Sequence, residues 1–79
     1  MSNSKPKASV FELDSLLNEP VWIDCIGDHT VEGTLKGFDQ LLNLNIENGS
    51  FDGKQVGNLI VRGPSVMSVL HNVNKLESQ

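Results

Sequence analysis

Gly33-Thr34-Leu35-Lys36-Gly37-Phe38-Asp39 runs on to Leu42-Asn43-Leu44, and Ile60-Val61-Arg62-Gly63 follows about twenty residues later. Each stretch sets a few polar residues at the tip of an otherwise apolar, β-prone run. The apolar residues recur with a period of two, which sends successive side chains to opposite faces of a strand.

The same period extends to both sides. Val21, Ile23 and Cys25 alternate with Trp22, Asp24 and Ile26, and Val31, Gly33 and Leu35 alternate with Glu32, Thr34 and Lys36. Gly27-Asp28-His29 supplies a turn between them, so the two runs form a hairpin. Residues 41–46 read as a third strand, with Leu42, Leu44 and Ile46 on one face and Leu41, Asn43 and Asn45 on the other. Asn48-Gly49-Ser50-Phe51-Asp52-Gly53 is dense in turn formers and reads as an exposed loop. Residues 56–61 and 66–70 make two more short strands, hinged at Arg62-Gly63-Pro64, where the proline has no N–H for a ladder.

Ahead of the strands the period is helical. Ser9-Val10-Phe11-Glu12 has the form of a capping box. Val10, Leu13, Leu16 and Leu17 then fall on one face with Phe11 beside them, and Asn18-Glu19-Pro20 stops the helix, predicted over 10–17. Residues 1–8 read as a polar arm, 9–71 as the folded unit and 72–79 as a polar tail. The expected architecture is therefore mainly β: an N-terminal helix followed by a strongly bent five-stranded antiparallel sheet, a small open barrel whose curvature Gly33 and Gly37 permit. An open barrel keeps two edges. Strands four and five are then the templates on which neighbouring copies or paralogues pair.

Composition narrows the function. A chain of 79 residues with 38% hydrophobic residues makes one domain, which buries only ~60% of the surface its unfolded chain exposes. Domains of this size without disulfides or a metal complete their cores by oligomerising. The single cysteine, Cys25, shares a face with Val21 and Ile23 and reads as a small buried hydrophobe in a reducing compartment. His29 at a hairpin tip and His71 near the tail form no ligand set, so no metal is expected. The sequence shows neither a signal peptide nor an apolar run long enough for a membrane, and reads as cytosolic or nuclear. No phosphate-cradling glycine loop and no nucleophile–base pattern is present, so the chain reads as non-enzymatic and without a cofactor. A net charge of −4 rules against a broad basic face for nucleic acid. Any such binding rests on a few placed groups, of which Arg62, the only arginine, is one.

Residues 21–49 resemble the first Sm motif and residues 56–69 the second. The likeness is carried by Gly33, Phe38-Asp39, Asn43 and Arg62-Gly63 at these separations. The chain is identified on them as a member of the Sm and like-Sm (LSm) family. Gly-Phe-Asp-x-x-x-Asn with Val-Gly-x-x-x-Val-Arg-Gly-x-Ser-Val is similar to the SmG branch and its like-Sm paralogue. The resemblance implies rings of six or seven subunits, built by pairing strand four with strand five of a paralogous neighbour. It also implies uridine-rich single-stranded RNA, such as small nuclear RNA, in the central pore. The setting implied is the heteroheptameric core of a spliceosomal ribonucleoprotein, nuclear with a cytoplasmic pool, or the related ring that acts in RNA decay.

The residues at the expected site have matching chemistry. Asn43 offers a carbonyl acceptor and amide donors suited to the N3–H and O4 of uracil. Arg62 can stack its planar cation on a base, and Gly63 lets a backbone N–H approach a base edge. Asp39 is expected to support Asn43 or the turn. Leu41 occupies a position where many members carry an aromatic or histidine, and stacking on an aromatic is worth ~1–3 kcal/mol per base. A leucine platform makes this subunit a weaker RNA contact, and a purely structural, ring-closing subunit is the competing reading. Trp22, on the polar parity of its strand, is expected to pack against the helix or an adjacent subunit.

Overall fold

The first hairpin forms as its alternation dictates. β1 (Pro20–Cys25) pairs antiparallel with β2 (His29–Phe38), Val21 facing Gly33 and Ile23 facing Val31. Ile26, Gly27 and Asp28 connect the strands beyond the Cys25–His29 pair, and Gly27 and Asp28 take φ of +82° and +62°, the left-handed region that glycine and aspartate adopt in turns. The structure is a computed structural model that describes residues 10–72, with side chains from Glu12 onward. The expected arm over 1–8, Ser9 of the capping box, residues 73–79 of the tail and the side chains of Val10 and Phe11 lie outside the described residues.

β3 (Leu44–Phe51), β4 (Lys54–Val61) and β5 (Val66–His71) complete one antiparallel sheet in the order β4-β3-β2-β1-β5, with a 3-10 turn at Gly63–Ser65. Its edges are β4 and β5. The inner face buries Val21, Ile23, Cys25, Val31, Leu35, Leu44, Ile46, Val61 and Val66, and Leu13 of α1 (Val10–Ser15) joins that core. Burial pushes the Cys25 thiol up from its ordinary value, with the Asp24 and Asp52 carboxylates adding to the effect. This is the behaviour of a small buried hydrophobe.

Three expectations change. The helix ends at Ser15, two residues early, because the chain is drawn onto β2: Asn18 N–H donates to Leu35 O at 2.7 Å and Leu35 N–H to Glu19 O at 3.1 Å. Asn18 turns left-handed at φ +67° to make this corner. The third strand begins at Leu44, not at residue 41, and continues through Asn48-Gly49-Ser50 to Phe51, leaving only Asp52-Gly53 as a turn. Pairing of Ser50 with Glu32 on one side and Gln55 on the other overrides local turn preference. Asn48 at φ +55° is absorbed as an irregularity between the paired residues Ile46 and Gly49. Of the two placements expected for Trp22, packing against the helix falls: Val21 and Ile23 point to the side where Leu13 is buried, and Trp22 is on the other, outer face.

Gly33 and Gly49 mark where the sheet creases. A Cβ at Gly33 would collide with Ile46 Cγ2 and come within 2.9 Å of Gly49 Cα, and one at Gly49 would collide with Leu59 Cδ2. The ladders shift register beside both positions, as bulges do where strands bend. Gly37 is different, since a Cβ there finds nothing nearer than Asn45 Cβ at 3.9 Å. Across the end of the sheet, the Asp52 carboxylate accepts the Thr30 N–H at 2.8 Å and pairs with His29 Nδ1 at 2.7 Å, tying two turns together. The Thr30 N–H is the main cause that holds its carboxyl below the usual range.

Gly33→Ala is expected to destabilise the purified chain by about 1–3 kcal/mol through overpacking. Gly37→Ala should stay within about 0.5 kcal/mol, as for a surface change. Urea unfolding of both variants at one protein concentration checks the contrast, and equal losses would place the crease elsewhere.

Candidate nucleic-acid interface

The loop from Asp39 to Asn43 joins β2 to β3, and a single carboxylate organises it. Asp39 Oδ1 accepts the backbone N–H of Leu41 at 2.9 Å and of Asn43 at 3.0 Å, while Oδ2 accepts Asn43 Nδ2 at 3.0 Å. The backbone closes the same turn through Leu42 N–H to Asp39 O at 3.0 Å and Asp39 N–H to Asn43 O at 3.2 Å. Leu42 is thereby held at φ +66°, a left-handed conformation that costs a leucine roughly 1–2 kcal/mol. The amide bonds from Asn43, then that from Leu41, keep the Asp39 carboxyl below its ordinary value, and the charge of Arg62 adds to the effect.

The second half of the site comes from the end of β4. Gly63 N–H donates to Asn43 Oδ1 at 2.7 Å, and Arg62 Nε lies 3.4 Å from the same oxygen. The orientation of the Asn43 amide follows from its neighbours: a carboxylate only accepts and a backbone N–H only donates, so a flipped amide would lose both bonds. Gly63 must be glycine for a steric reason. A Cβ there would collide with the Leu41 carbonyl oxygen and reach 3.0 Å from its carbon. Its N–H therefore serves the loop itself, where the sequence suggested that it would meet a base edge.

All five expected residues thus converge. Asp39, Leu41 and Asn43 come from one loop, Arg62 and Gly63 from the next strand end, and Asn43 is the link between them. Leu41 leaves 74% of its surface exposed. Arg62 has no ion pair among the described residues. One Nδ2 hydrogen of Asn43 remains after Asp39 takes the other. Beside the loop lies a shallow depression lined by Gly37, Phe38, Asp39, Asn43, Asn45 and Ile60. Phe38 and Asn45 were not among the expected site residues. The signal for Phe38 was its place next to Asp39, and Asn45 shares the strand parity of Asn43. The arrangement can recognise a planar group by hydrogen bonds, apolar contact and positive charge. Among the described residues no group of three or more His, Cys, Asp or Glu could hold a metal ion, and no helix is long and apolar enough to cross a membrane.

Comparison with known proteins places the chain among relatives of one family. The family model of the LSM domain matches residues 12–71. A probable small nuclear ribonucleoprotein G of Arabidopsis thaliana is 31% identical over 73% of this chain and 78% of its own length. A probable U6 snRNA-associated Sm-like protein LSm7 of Dictyostelium discoideum is 30% identical over 80% of this chain and 78% of its own. Among solved structures, a heptameric archaeal Sm protein superposes with a TM-score of 0.70 at 28% identity, over 75% of this chain and 93% of that one. The Pyrococcus abyssii Sm protein, solved with a uridine heptamer, gives 0.77 at 18% identity, over 84% and 100%, and shows the shared fold.

The depressed Asp39 carboxyl gives a signed pH dependence. Its ordering of the loop is present above the unfolded carboxyl value near 3.9 and is lost as pH falls through the lower folded value. The amide proton resonances of Leu41 and Asn43 should titrate together, with a midpoint below ~3.9, and Asp39→Asn should abolish that titration. Independent midpoints for the two amides would remove Asp39 as their common acceptor.

Proposed function

The chain belongs to the Sm and LSm family, and from that membership we propose that it is a non-enzymatic, RNA-binding subunit of an Sm-type ring. The ring holds uridine-rich single-stranded RNA in its central pore, one nucleotide at each subunit. The carrying observation is the fixed Asn43 amide, oriented by Asp39 and Gly63 and flanked by an Arg62 that has no ion pair among the described residues. The remaining Nδ2 hydrogen donates to uracil O4. Oδ1, with capacity beyond the Gly63 N–H, accepts uracil N3–H in place of the long Arg62 contact. Arg62 is then released to stack on the base, and Leu41 covers it with an apolar surface. Cytosine presents the opposite pattern at both edge positions and is rejected. Orientation of one amide sets the specificity.

Assembly follows from the two sheet edges. β4 exposes Val56 and Ile60 and β5 exposes Met67, so strand four of one subunit pairs with strand five of a paralogous neighbour, burying unpaired backbone and apolar surface together. The heptameric archaeal relative supports a seven-membered ring. The relative named for ribonucleoprotein G supports a place in a spliceosomal small nuclear ribonucleoprotein, in the nucleus with a cytoplasmic pool. The relative named for U6 snRNA association supports the like-Sm ring of RNA decay and 3′-tail binding almost equally well by identity. The companion subunits in the natively purified complex, identified by mass spectrometry, distinguish the two rings.

In the assembled ring, Asn43→Ala and Arg62→Ala should each lower crosslinking of an oligouridine to this subunit several-fold, and oligocytidine should crosslink poorly to the wild type. Unchanged crosslinking in an intact ring would leave the subunit only a ring-closing role.

A further inference from the structure

Outside the pocket, the outer face of the sheet carries a row of side chains that the RNA reading does not use. Glu32 of β2, Trp22 of β1 and Leu70 of β5 are direct cross-strand neighbours. Trp22 and Leu70 remain 36% and 42% exposed. The indole is fixed at its edge, because Nε1–H donates to Asp24 Oδ1 at 2.8 Å while Asp24 Oδ2 accepts the Ser68 hydroxyl at 3.0 Å. Glu32 is held likewise, its Oε1 accepting Asn72 Nδ2 at 3.2 Å. Both carboxylates are met by neutral donors; β1 and β5 contain no lysine or arginine, and the lysine of β2, Lys36, turns to Asn18 and Glu47. Two negative charges therefore flank an oriented aromatic ring, and neither has an ion pair among the described residues.

We propose that this row is a docking site for an arginine side chain carried by an extended segment of a partner protein. A cation over an indole face is drawn by the ring quadrupole, and tryptophan is the best of the aromatic residues at this. A guanidinium is planar, so it stacks on the ring while its N–H groups reach carboxylates to either side, and Leu70 takes the alkyl stem. The charge pattern selects the occupant. RNA would bring phosphates against Asp24 and Glu32, and a second copy of this chain would bring a further net charge of −4.

Trp22 is the only tryptophan in the chain, so its fluorescence reports on this face alone. Titration of the full chain with a blocked Gly-Arg-Gly-Arg-Gly peptide should change the emission saturably, and the peptide with glutamine in place of arginine should not. Asp24→Asn combined with Glu32→Gln should weaken the arginine peptide by roughly threefold or more. Trp22→Leu should lower the affinity of a labelled peptide, with circular dichroism confirming that each variant stays folded. The proposal fails if the emission does not respond, if the glutamine peptide acts equally, if the carboxamide variant binds as tightly, or if an oligouridine produces the same response.

Discussion

Two backbones pass each other where neither can carry a side chain. The approach of Gly33 to Gly49, with Ile46 and Leu59 filling the space beside them, lets β2 and β3 fold over as a pair, and a bent sheet can then enclose a core of one-sided strands. Without that crease the same alternation would give a flatter sheet with its apolar face to water. The ladder between β3 and β4 decides what meets at the far end. Leu44 pairs with Val61, so the loop before one and the corner after the other meet, and Asn43 bonds Gly63, twenty residues later in the chain.

The local network at the loop shows how little material a recognition site needs. One carboxylate, with two oxygens, accepts three donors from two residues and imposes a left-handed leucine between them. It is solvent-exposed, so the network gains more in geometry than in stability. Its effect is to remove alternatives: the amide of Asn43 has one orientation, and Gly63 has room only for hydrogen.

Much of this was legible in the residues, and the failures are instructive. Val21, Ile23 and Cys25 announced β1 because one face of that strand is dry and the other is wet, and a period of two is the direct imprint of that contrast. Arg62-Gly63-Pro64 announced a corner through a missing donor. Asn48-Gly49-Ser50 misled, since the residues that favour a turn also favour an irregularity inside a strand, and only the partner strands decide between them. Leu42 carried no local mark of its left-handed backbone, which is imposed by Asp39 through hydrogen bonds and not by any preference of leucine. Gly63 was expected to face a base edge, but its steric partner, the Leu41 carbonyl, is visible only when the two segments are brought together.

The order of the strands has a consequence for how the chain comes to be made. β1 to β4 each pair with a strand adjacent in sequence, and those contacts close over short loops. β5 must instead return to β1, as the bond from Ser68 to Asp24, 44 positions apart, records. Long closures form late, because their entropy is lost before their contacts are gained. A folding chain therefore holds a four-stranded meander with the edge of β1 bare until β5 docks. During that interval the strand most exposed to mispairing is one that the finished protein places inside its sheet.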